Sequence, residues 1–135
     1  MKDKSTGFAG FLDGYKARNI AASASSVTFH FGEMKNAVTD ILRSQRSKNA
    51  PEDLLASLNR LSQVLSDKLG DFLSAAVSCG EVLKTILLMS KQNGDPTALL
   101  AEEKMKRLVY HYLEFAELSE DKTVRDLAIT IAEVF

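Results

Sequence analysis

The sequence predicts an all-α helical bundle, and three observations carry that reading. Apolar residues recur at spacings of three and four over most of the chain, the period of an amphipathic helix. The only two prolines, Pro51 and Pro96, sit at helix-start signals, where a missing N–H is harmless. The single stretch that alternates like a strand, Val27-Thr28-Phe29-His30-Phe31, would have no strand to pair with elsewhere. Ile20, Ala24, Val27, Phe31, Met34, Val38 and Ile41 step through it by four and three, so it reads as helix.

The first helical arm is expected over about 5–46. Ser5 or Thr6 can cap it, and Phe8, Leu12 and Tyr15 give it a face. It is weakest over 19–26, where Asn19 and the serines compete with the helix for backbone hydrogen bonds. It stops at Arg43-Ser44-Gln45-Arg46-Ser47-Lys48, whose cations suit the negative end of a helix dipole.

A second arm is expected over 51–92, with Glu52 and Asp53 in its first turn. Its stripe is Leu54, Leu58, Leu61, Leu65, Leu69, Phe72, Ala76, Cys79, Leu83 and Ile86. Two successive steps of four at Leu61, Leu65 and Leu69 make a stutter in this coiled-coil-like pattern. Gly70 beside it weakens the helix by about 1 kcal/mol. The loop over 47–50 is so short that the two arms should lie antiparallel, as a hairpin.

Two shorter helices complete the chain, at about 96–118 and 122–134. Gly94 ends the long arm and Asp95 caps the next helix, whose inner face is Leu99, Met105, Leu108, Tyr112 and Ala116. On its outer face Glu102 and Lys106, and Glu103 and Arg107, stand four apart in the favourable order. The basic run Lys104, Lys106, Arg107 therefore reads as a paired, solvated face and not as a nucleic-acid patch. The last helix opens at Ser119 or Asp121 and turns Val124, Leu127, Ala128, Ile131 and Phe135 inward.

With 135 residues, residues 1–135 are expected to form one domain. An unbroken helix over 51–92 would be about 60 Å long, against a radius of gyration of about 14 Å for a compact domain of this size. Two architectures follow. If both arms are continuous, the hairpin protrudes and its distal stripe needs a second copy to cover it. Phe31, Met34, Val38, Ile41, Leu54, Leu58 and Leu61 are then the self-association surface of a homodimer. If the arms break near Ser25 and Gly70, six short helices close into a compact globule.

Catalytic chemistry is sparsely represented. There is no glycine-rich phosphate loop and one cysteine, Cys79, which lies on the apolar stripe and reads as buried core. His30 with Glu33 and His111 with Glu114 repeat a His-x-x-Glu spacing, in the reverse order of the di-metal bundle motif. Both histidines fall beside the apolar stripes, so they read as rim residues, with Tyr110 and Tyr112 forming an aromatic cluster around His111. No catalytic, cofactor or metal site is expected.

A formal net charge of −1 supplies no field to draw the chain to nucleic acid. No stretch approaches the unbroken apolar length of a spanning helix, so stable membrane insertion is not expected either. The reading is a cytoplasmic, non-enzymatic interaction protein with a partner protein in an adaptor, scaffold or accessory role. The alternatives are a module for a small apolar ligand or a membrane surface and, third, a metal-binding four-helix bundle.

Overall fold

The computed structural model describes residues 24–67 and 72–135. It is an all-α bundle: α1 (Ala24–Ser47), α2 (Glu52–Asp67), α3 (Phe72–Gln92), a 3-10 turn (Leu99–Ala101), α4 (Glu103–Leu118) and α5 (Lys122–Val134). The helix expected over 5–23 lies outside the described residues. Whether the first arm breaks near Ser25 lies there too, because Ser25 is already helical and α1 begins beside it.

The hinge between α1 and α2 forms where the sequence places it. Asn49 takes a left-handed φ of 59°. Ala50 N–H then reaches back to Gln45 O at 3.0 Å and Asn49 N–H to Arg46 O at 3.1 Å, the double closure of a Schellman turn. The same closure recurs after α3, with Gly94 at φ 75° and Asp95 N–H donating to Ser90 O at 2.8 Å. α1 and α2 pack side by side, as the short loop requires.

The second arm is not one rod. α2 ends at Asp67, α3 begins at Phe72, and the two helices pack against each other. The break that the compact alternative requires thus falls between Asp67 and Phe72. Its physical cause is the leucine stripe, since folding back removes Leu54, Leu58, Leu61 and Leu65 from water, at about 1.5–3 kcal/mol for each side chain buried.

That packing corrects the expected self-association surface. Phe31, Met34, Val38, Ile41, Leu54, Leu58 and Leu61 are all buried within this one chain, so this stripe is covered by the chain's own helices. They are covered because α1 meets α2 and α4, α2 meets α3, α3 meets α5, and α5 meets α4. The five described helices form a closed cycle of neighbours around one core, filled by Met34, Leu58, Leu83, Ile86, Met105, Leu108 and Tyr112.

α4 starts later than expected. Residues 96–102 form a turn and one 3-10 turn instead of regular helix, because Asp95 and Ala98 both hold positive φ. Asp95 does cap, but it caps the 3-10 turn, accepting from Leu99 N–H at 2.9 Å and Leu100 N–H at 3.1 Å. The expected inner face of Leu99, Met105, Leu108, Tyr112 and Ala116 is buried throughout. Asp121 caps α5 through Val124 N–H at 3.1 Å, and Val124, Leu127, Ala128 and Ile131 are buried, with Phe135 half-buried.

By length and mean hydropathy alone, Leu73–Gln92 would pass as a membrane span. Its apolar residues Ala76, Cys79, Leu83, Ile86 and Leu87 are core residues here, covered by α2 and α5.

Candidate functional site

α1 and α4 run antiparallel. Glu102 meets Gln45 at one end, Lys104 meets Asp40, Arg107 meets Glu33, and Phe115 meets Phe31 at the other end. This register brings the chain's two histidines together. His30 Nδ1 and His111 Nδ1 are 2.9 Å apart, with both rings buried at 4% and 7% exposure. The expectation of rim histidines is therefore corrected. Each lies beside its own apolar stripe, and the crossing of two helices turns those flanks toward each other.

Like nitrogens bond only if one carries a hydrogen and the other a bare lone pair. Glu33 Oε1 lies 4.0 Å from His111 Nε2. The tautomers that satisfy both contacts place a hydrogen on His30 Nδ1, donating to His111, and on His111 Nε2, facing the carboxylate. Arg107 Nη1 stands 3.7 Å from the same Glu33 oxygen. Glu114, three residues beyond His111 on α4, is buried.

Aromatic rings box the pair in. Phe29 meets His30 and His111 edge-on at 5.4 and 5.8 Å, and Tyr110 meets His111 edge-on at 5.3 Å. Phe31 and Phe115 lie 4.9 Å apart next along the same seam. The aromatic cluster expected around His111 is thus present, though Tyr112 points elsewhere: its hydroxyl donates to Ala76 O of α3 at 2.9 Å.

The electrostatics follow from burial. Loss of water pushes His30 below its ordinary value, with Glu33 pulling the other way. His111 is pushed down to about 4, first by burial and then by the neighbouring His30 and Arg107. Burial pushes the Cys79 thiol up to about 12, so it stays protonated. Among the described residues no three His, Cys, Asp or Glu side chains stand close enough together to hold a metal ion.

Compared with protein-family models, curated proteins and solved structures, the chain matches none.

Two features escape sequence reasoning. The first is Phe29, which stays 53% exposed although its ring is held by both histidines. The second is a polar knot at the α1–α2 corner. Fully buried Gln45 donates to Glu102 Oε2 at 2.7 Å and accepts from the Thr97 hydroxyl, while Ser44 and Lys48 reach the same Glu102 oxygen at 3.0 and 3.3 Å. Of the four residues expected to pair along α4, Glu102 and Arg107 instead meet residues of α1 and its end, Arg107 reaching Glu33 at 3.7 Å, and Lys104 crosses to Asp40 at 3.3 Å. A glutamine inside the α1 stripe region, four residues past Ile41, was the available signal.

Proposed function

We propose that this chain is a non-enzymatic helical-bundle interaction protein that self-associates and holds a partner protein in an adaptor, scaffold or accessory role in the cytoplasm. The observation that carries the reading is Phe29, a large apolar ring left over half exposed yet fixed in place by two buried rings. A rigid aromatic loses little entropy on docking, and aromatic residues, Phe included, are enriched in the buried core of protein interfaces. Leu73, Leu88 and Ile129 are likewise left outside the filled core.

The reading as a non-enzyme draws on where the reactive side chains go. Both histidines face each other inside the bundle, and the one thiol is buried. A hollow of about 280 Å³ between α2 and α3 is lined by Ser57, Arg60, Ser78, Glu81, Val82 and Thr85. That polar lining also gives the apolar-ligand alternative little support.

Light scattering on the full chain over a wide concentration range tests the proposal. The expected result is a mass rising toward two chains, with Phe29→Ser shifting that rise to higher concentration while leaving the helical circular dichroism unchanged. A single-chain mass at every concentration overturns self-association, and an unaltered rise in Phe29→Ser overturns the role given to Phe29.

A further inference from the structure

His30 and His111 are the chain's only histidines, 81 residues apart in sequence, and they meet through like nitrogens inside the α1–α4 seam. Two neutral rings fit this contact, one donating and one accepting. One added proton fits as well, shared between the two Nδ1 atoms as a charge-assisted hydrogen bond, with Glu33 4.0 Å from His111 Nε2 to offset the charge. A second proton does not fit. Both Nδ1 atoms would then aim hydrogens at each other across 2.9 Å, and two cations would share a buried site that already has Arg107 at its edge.

We propose that the His30–His111 pair is a proton-operated latch between α1 and α4, closed while one Nδ1 is bare and opened when both carry hydrogens. Among the described residues the titratable or charged groups set against it are Glu33 from α1 and Arg107 and Tyr110 from α4, and Glu114, three residues beyond His111, is buried. Glu33 favours the charged rings but is shared with Arg107, which opposes them. Burial depresses both histidines, which places opening in the acid range below neutrality.

Opening has a defined local consequence. Phe29 loses His111, its edge-on ring partner across the seam, while keeping His30 beside it on α1, and the Phe31–Phe115 pair next along the seam comes within reach of water. The packing of α2 on α3 and of α3 on α5 contains no histidine and stays closed. Acid would thus uncover an aromatic seam without melting the bundle. This goes beyond the interaction reading and does not depend on it, since the test needs the chain alone.

The test is a histidine ring nitrogen NMR titration of the full chain, together with amide hydrogen exchange, from about pH 7.5 to about pH 3.5. Rates are corrected for the intrinsic pH dependence of exchange. The comparison protein is His30→Asn/His111→Asn, whose amides can keep the hydrogen bond but cannot titrate. The wild type is expected to lose about tenfold or more protection at amides 27–34 and 108–115 relative to α3, and the double variant less than about twofold.

Equal responses in the two proteins overturn the latch. Should the variant fail to fold, the wild-type titration decides alone. Loss of protection that coincides with the second ring taking up its proton upholds the proposal, and two ordinary titrations near pH 6.5 with unchanged exchange overturn it.

Discussion

Gly80 of α3 lies directly under the ring of Tyr112 on α4. A Cβ placed on Gly80 would stand 2.9 Å from Tyr112 Cζ and 3.0 Å from Leu127 Cδ1, closer than carbon atoms pack. The absent side chain lets α3, α4 and α5 approach at one point, and it lets the Tyr112 hydroxyl reach Ala76 O.

Gly80→Ala is therefore expected to destabilise the bundle. Overpacking costs about 1–3 kcal/mol, against a gain of up to about 1 kcal/mol from helix propensity. In a Tyr112→Phe background the same change should cost less, because the nearest obstructing atom is gone. Urea unfolding of the four proteins of that double-mutant cycle measures the difference, and equal costs in both backgrounds would refute the contact.

Stability should fall on acidification. The unfolded chain holds its histidines near the ordinary 6.5, whereas folded His111 lies at about 4 and His30 is also depressed. Below pH 6.5 the unfolded state therefore binds more protons, and by linkage it gains. The contribution of the neutral pair is full above about pH 6.5 and is lost as the pH drops toward 4, with a ceiling of about 3 kcal/mol from His111. Urea midpoints at a series of pH values check this, and His111→Asn should flatten the curve. A midpoint that climbs as pH falls from 6.5 to 4 would contradict the assignment.

Leu58 and Leu61 are fully buried between α2 and its neighbours. Leu58→Ala should cost about 2–5 kcal/mol, a large share of a total of about 5–15 kcal/mol. Leu61→Asp should unfold the chain outright and not release folded single copies, because the carboxylate enters this chain's own core. Circular dichroism and sedimentation together separate those two results.

Cys79 should be inert in the native protein. It is fully buried and its thiol is held protonated, so an aromatic disulfide reagent at neutral pH should react only through opening of the bundle. Its rate should rise with urea in step with global unfolding. Fast labelling without denaturant would mean that α3 is not where the core packing puts it. Cys79→Ser should lower stability by about 1–3 kcal/mol, since a hydroxyl replaces an apolar group inside the bundle.

Periodicity made much of this fold legible. Spacings of three and four identified Met34, Val38, Ile41, Leu58, Leu83, Leu108 and Tyr112 as inward-facing, and turn chemistry placed the short loop over 47–50 and the end of the second arm at Gly94. A hydrophobic stripe names the buried face of a helix but not the helix that buries it. For that reason the leucines of α2 read as a dimer surface first, with burial inside the chain as the alternative. Gly70 and the stutter mark a weak joint, while the choice between bending and folding back rests on long-range burial that no local window contains. The histidine contact was hidden for the same reason. His30 and His111 each look marginal on their own helix, and only the antiparallel register of α1 on α4 brings them face to face.

The closed cycle of helices also bears on the order of synthesis. α1 emerges from the ribosome long before α4, the helix that covers its His30 flank, so its inner face must wait for most of the chain to be made. α2 and α3 can pair early, as neighbours in sequence, but they cannot close the core alone. Translation speed between α1 and α4, or a holding chaperone during that interval, would then bear on the yield of folded protein.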